Sequence, residues 1–165
     1  KVRASRFDAA LVVADGLSAL AVSRNAAPLV AAITQRLEGA GWTLAPVVIA
    51  QQARVAIGDE IGALIGAAQV AVMIGERPGL SSPDSLGVYL TWAPRVGRLD
   101  ADRNCISNIR PGGLAIEAAA DTLAYLMTEA RARRLTGIAL KDERSAASVD
   151  GSAASQSFLL PGARR

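Results

Sequence analysis

Residues 71–113 read AVMIGERPGLSSPDSLGVYLTWAPRVGRLDADRNCISNIRPGG, and the way this stretch opens decides the fold. Its first residues, Ala71 to Ile74, are a short apolar run of the kind that forms a strand buried on both faces, within a strand predicted over Gln69–Gly75. Gly75 ends the run, and Glu76-Arg77-Pro78-Gly79 follow at once. In a parallel sheet that point is a carboxyl strand end, the edge along which open α/β folds bind ligands. A polar loop through Ser81, Ser82, Pro83, Asp84 and Ser85 leads to a second strand over Gly87–Trp92. Beyond it, Arg95–Gly113 reads as irregular chain holding the only cysteine, Cys105. Two long polar loops, each leaving an apolar strand, are predicted to be binding loops.

Working outward towards the start of the chain, Asp8–Ala14 predicts a buried strand whose exit turn is Asp15-Gly16-Leu17-Ser18. Asp15 suits either a cap on a short helix, Leu17–Ser23, or a ligand contact. Asn25 then caps a second helix with Pro28 in its first turn. Leu29, Ile33 and Leu37 give that helix one apolar face, and Gly39 and Gly41 stop it. Trp42–Ala50 predicts the next strand, with Pro46 marking a bulge or a sheet edge. Gly58-Asp59-Glu60 opens a short helix, where the two acids suit the helix dipole.

Towards the other end, Leu114–Arg134 predicts the longest helix, with Ile116, Ala119, Ala120, Leu123, Leu126, Met127 and Ala130 on one face. Gly112 and Gly113 precede it, offering backbone N–H groups to an anion. Gly137–Leu140 suggests a last short strand. The whole predicts an α/β domain over residues 1–143, a Rossmann-like, mostly parallel sheet with helices on both faces. The Ser-, Ala- and Gly-rich residues 144–165 read as a disordered tail. A chain opening on Lys1, with a strand within ten residues, reads as a piece of a longer polypeptide.

Composition removes several classes of function. The net charge of +3 is scattered, and its one dense cluster, Arg131, Arg133 and Arg134, falls in the last turns of a helix, where it complements the dipole. With only 4% aromatic residues there is little to stack on bases, so nucleic acid is not an expected partner. No run of residues is long and apolar enough to span a bilayer, and no signal peptide is visible, so no membrane partner is expected. A single cysteine fits a reducing cytoplasm. There is no histidine at all, which removes Ser-His-Asp and Cys-His nucleophile systems, most zinc sites and the usual neutral-pH base. Neither a metal site nor a catalytic residue is expected in this chain.

IGERPGL followed by DSLGVY, RNCISNI and PGG, with VVADGLSA and RVAIGDEIGALIGA upstream in order, resembles the small subunit of ethanolamine ammonia-lyase. The resemblance covers roughly Val12–Lys141. It implies an adenosylcobalamin-dependent enzyme that converts ethanolamine to acetaldehyde and ammonia by a radical route. It further implies a large subunit that binds ethanolamine and handles the radical, while this subunit holds the cofactor. The cofactor contacts it implies are Val55, Glu76 and Cys105, with Asp15, Ser18 and Arg77 as a second tier. Without histidine here, the cofactor's own benzimidazole is expected to remain on cobalt. The resemblance leaves encapsulation in a bacterial microcompartment open.

Each of these residues also has a plainer reading. Val55 suits ordinary core, Glu76 an ion pair with a nearby arginine, Arg77 a solvated surface, and Cys105 small, buried packing. Two other functions compete. A self-sufficient Rossmann-like enzyme using a nucleotide needs a glycine-rich phosphate loop after the first strand, and DGLSA is not one. An inactive, truncated adaptor that only binds a large subunit needs no cofactor contact at all.

Overall fold

The computed structural model describes residues 5–79 and 82–144. The disordered tail expected from residue 144 onward therefore lies, beyond Arg144 itself, outside the described residues.

Five strands form one sheet in the order β2-β1-β3-β4-β5. The centre is β1, Phe7–Ala14, and β3, Ala67–Gly75, which pair in parallel and are buried along nearly their whole length. Helix α1, Ala19–Gly39, connects β1 to β2, Val48–Ala50, which lies on one side of β1. Helix α2, Ile57–Ile65, carries the chain back past β1 to β3 on the other side. The strand order thus reverses at β1, with the connections from β1 and β2 passing over opposite faces of the sheet.

Helices cover both faces. Leu11, Ala71, Met73, Val88, Leu90 and Ile106 point into a core shared with α1 and with α3, Ile116–Arg133. Ala10, Val12, Val70, Val72 and Ile74 point the other way, towards α2. The two sets alternate along each strand, as the period of two requires.

The α/β class and the cover on both faces match the sequence, but the sheet is mixed. β4, Leu86–Trp92, runs antiparallel to β3, and Arg103–Ile109 forms a further strand, β5, antiparallel to β4. The chain between these strands is too short for the crossover that a parallel pairing needs. The expected irregular segment Arg95–Gly113 therefore contains a seven-residue edge strand with a bulge opposite Gly87. The connection 76–85 emerges at the carboxyl end of β3, and 93–102 at the opposite end of the sheet.

α1 is one helix rather than two. Ser18, not Asp15, is its cap, accepting the N–H of Ala21 at 3.1 Å. Pro28 lies inside it, and the helix tolerates the lost bond to Arg24 because Leu29, Ile33 and Leu37 beyond it are fully packed. Asn25 is no cap: it is buried mid-helix and its amide donates to the Asp84 carbonyl at 2.8 Å. The expected strand Trp42–Ala50 shrinks to its last three residues, at the edge that Pro46 suggested. Gly137–Ala139 is a single helical turn, not a strand. Among the described residues no helix is long and apolar enough to cross a membrane.

Candidate functional site

The rim of the sheet at the ends of β1 and β3 is assembled by close contact between backbones. Gly16, at φ +60°, crosses over the end of β3, where an added Cβ would sit 2.4 Å from the Gly75 carbonyl oxygen. A Cβ on Gly75 would in turn lie 2.2 Å from the Ser18 carbonyl oxygen. The two glycines let the exit turn of β1 lie directly on β3, and Leu17 N–H donates to Gly75 at 3.0 Å.

Asp15 holds the next segment to this crossing. Its carboxylate accepts from Gln52 at 2.7 Å, Ala53 at 3.0 Å and Gly16 at 2.8 Å. The Ala53 and Gln52 bonds pull its pKa below the ordinary carboxylate value. Arg54 adds hydrogen bonds to the carbonyls of Gly16 and Ala53. Val55 follows, half-buried, where it packs on the same apolar cluster as Ile74 and Tyr89. Asp15 therefore acts by placing the Val55 turn, and neither caps α1 nor lies free for a ligand.

Ser18 is also committed. It is buried, caps α1 and donates its hydroxyl to the Pro83 carbonyl at 2.8 Å. Arg24 pairs with Asp84 at 2.9 Å, so the start of α1 latches the loop that follows Glu76. Arg77 is exposed and forms no ion pair among the described residues.

Glu76 is half-buried and, among the described residues, makes no salt bridge, so its arginine-paired reading does not hold. Its Oε2 accepts from the Ser85 hydroxyl and from the Asn108 N–H at 3.3 Å. Oε1 lies over Gly87, where a Cβ would come within 2.9 Å of it, and has no donor among the described residues. The carboxylate thus lies back along the sheet with one lone-pair direction uncommitted.

Cys105 is exposed rather than buried packing. It sits on β5 directly opposite Tyr89 of β4, which is itself opposite Val72 of β3. Desolvation by its neighbours pushes the thiol pKa up, the charge of Glu76 adds to this, and the Tyr89 hydroxyl works against it. Burial, reinforced by Cys105 and Glu76, pushes Tyr89 up to about 12. Both groups stay neutral near pH 7, which suits contact and not nucleophilic attack.

Val55, Glu76 and Cys105 thus share one face of the sheet, grouped around Tyr89. Sequence reasoning passed over Tyr89, whose only signal was its two-residue spacing from Gly87 on β4. The next row, Val70–Thr91–Arg103, is covered by α2: Asp59 binds Arg103 through both oxygens, at 2.7 and 2.9 Å. Asp59 is therefore structural, as expected, but through a buried ion pair more than through the helix dipole. The anion site expected before α3 is partly closed, because Gly113 N–H donates to Arg110 and Leu114 N–H to Asn108.

The sequence matches, over residues 1–141, the family described as "Ethanolamine ammonia-lyase light chain (EutC)". Among curated relatives, the ethanolamine ammonia-lyase small subunit of Azotobacter vinelandii is 58% identical over 154 residues, 93% of this chain and 57% of the relative. That of Ralstonia nicotianae is 55% identical over 153 residues, covering 93% and 56%. The Pseudomonas aeruginosa protein of the same description is 54% identical over 156 residues, covering 94% and 57%. The chain thus spans somewhat over half the length of the curated relatives it matches.

Proposed function

The chain belongs to the ethanolamine ammonia-lyase light-chain family, and from that premise we propose that it holds adenosylcobalamin on the rim around Glu76. A large subunit then supplies the ethanolamine site and the residues that handle the radical. One observation carries this reading: three segments remote in sequence bring Val55, Glu76 and Cys105 to one half-open face beside Tyr89.

The residues present fit such a guest. A corrin presents a broad rim of amide arms. Val55 and Tyr89 offer it apolar surface, Cys105 a small neutral contact, and Glu76 Oε1 an uncommitted acceptor for an amide N–H. Gly87 leaves room for the carboxylate to lie flat instead of blocking the shelf. With no histidine, this chain would supply no imidazole to a bound cobalt, so its hold on the cofactor would rest on the contacts just named.

The chemistry the cofactor supplies when bound is homolysis of its cobalt–carbon bond, which starts the conversion of ethanolamine to acetaldehyde and ammonia. The part of this chain is to bind, orient and shut out water. Val55, Glu76 and Cys105 are its contacts. Asp15 and Ser18 are positioning residues, one fixing the Val55 turn and the other the loop after Glu76. Arg77, exposed beside Glu76, is free to meet a phosphate or a partner's carboxylate. No catalytic residue is assigned to this chain.

The test is to mix the chain with a large subunit and cyanocobalamin and to follow corrinoid absorbance through gel filtration. Corrinoid is expected to travel with the complex. Glu76→Gln, which removes a charge-assisted acceptor, and Val55→Trp, which crowds the shelf, are each expected to weaken retention by roughly 3- to 10-fold. Their circular dichroism should be unchanged. Co-elution of the subunits without corrinoid, or equal retention by both variants, overturns the reading.

A further inference from the structure

On the face that carries α1 and α3, the cover ends at α1. α3 lies over β4 and β5 and α1 over β1 and β3, but no helix of the described chain lies over β2. The side chains of β2 that point to this face are left in solvent. Ile49, registered beside Val13 of β1, is 77% exposed, and Val47 is 45% exposed. With Val22 and Val30 of α1 they line an apolar trough of about 1020 Å³. A second hollow of about 520 Å³ shares Val47 and Glu38 with it and extends it towards Phe7 and Leu44. Single exposed aliphatic residues are ordinary, but a continuous concave stripe of them marks a surface that is covered in use.

We propose that this trough seats an amphipathic helix from the part of the family's chain that lies outside the span shared with this sequence. More than two fifths of the length of the Azotobacter vinelandii and Ralstonia nicotianae relatives falls outside that span. The stripe from Val22 to Glu38 runs about 24 Å along α1, enough for roughly four turns of a neighbouring helix. A helix there continues the layer already formed by α1 and α3, with its aliphatic face on Val30, Val47 and Ile49. Glu38, at the end of the trough, is exposed and has no ion-pair partner among the described residues, so the incoming helix carries a lysine or arginine opposite it. A second copy of this chain suits the surface poorly. A two-fold contact places the same patch against itself, and two concave troughs face to face leave a void.

This inference rests on family membership and on the trough, not on the cofactor reading, which concerns the opposite face of the sheet. The experiment titrates synthetic peptides, tiling the unshared part of the Azotobacter vinelandii relative, into the ¹⁵N-labelled chain. One tile is expected to bind, with shifts confined to residues 22–38 and 47–49. Ile49→Lys should weaken that tile at least 10-fold. Glu38→Lys should weaken it less, and reversing the charge of the peptide's basic residue should restore binding to that variant. Both substituted side chains are exposed, so both variants should keep the native melting curve. Failure of every tile to bind overturns the proposal, as does binding that Ile49→Lys leaves intact. Concentration-dependent dimerisation that Ile49→Lys abolishes gives the trough to a second copy and also overturns it.

Discussion

The carboxylate of Glu76 accepts the backbone N–H of Asn108 at 3.3 Å, so the residue that leaves β3 also holds the bulged end of β5. The same negative charge faces Cys105 and Tyr89 and opposes the ionisation of both. One side chain therefore links the shape of the rim to its protonation state.

That link predicts the behaviour of the lone thiol. Alkylation of Cys105 by iodoacetamide near pH 7 should be slower than that of a free thiol, despite its exposure, because the thiolate is disfavoured. In Glu76→Gln the opposing charge is gone and the pH–rate profile should move to lower pH. A profile that stays put, or moves up, contradicts the placement of Glu76 beside the sulphur.

Asp15 predicts a pH dependence of stability. Its carboxyl titrates lower in the folded chain than in the unfolded one, chiefly through the Ala53 and Gln52 N–H groups. Its contribution is fully present above the unfolded carboxylate pKa and is lost as pH falls through the lowered folded value. Asp15→Asn should therefore destabilise the chain at neutral pH, and the difference from the parent should shrink in acid. Urea midpoints measured at both pH values check this, and a deficit that grows on acidification refutes it.

The Asp59–Arg103 pair predicts an asymmetry. Both side chains are 3% exposed, and Arg103 also donates to Thr91 at 3.0 Å. Removing one partner leaves a buried charge, so Asp59→Ala or Arg103→Met alone should cost about 3–5 kcal/mol in chemical denaturation. Asp59→Leu combined with Arg103→Met should recover most of that loss. A double variant as unstable as the sum of the singles would mean the two side chains are not coupled, and would refute the asymmetry.

Where elements were legible in the sequence, one physical pattern dominated them. β1 and β3 are buried on both faces and so show apolar runs over Ala9–Ala14 and Val70–Ile74, and α3 shows its 3- and 4-residue spacing without interruption. α1 was misread as two helices because Asn25 and Pro28 imitate a helix start. What overrides that signal is a carbonyl at Asp84, 59 residues away, which satisfies the buried Asn25 amide. β5 was invisible because Arg103, Asn104, Cys105, Ser107 and Asn108 look like loop. Arg103 is apolar in effect only once Asp59 neutralises it. The site was legible in a different way. The α/β pattern alone pointed to the strand ends at Asp15, Val55 and Glu76 and to the Cys105 loop as a ligand edge, and the choice of Val55, Glu76 and Cys105 as the contacts of the candidate site came from resemblance to a family. Their common face depends on β5, the strand that composition concealed.

The reversed direction of β4 has a practical corollary. Its two connections emerge at opposite poles of the sheet, so the bend around Gly97 points away from everything assembled at Glu76. Gly97 itself stands at φ +92°, a conformation that favours glycine, but Val96 beside it is 76% exposed. A fluorophore or surface tether fixed there would leave the rim and the α1 trough untouched, which makes that bend the natural handle for single-molecule work on either face.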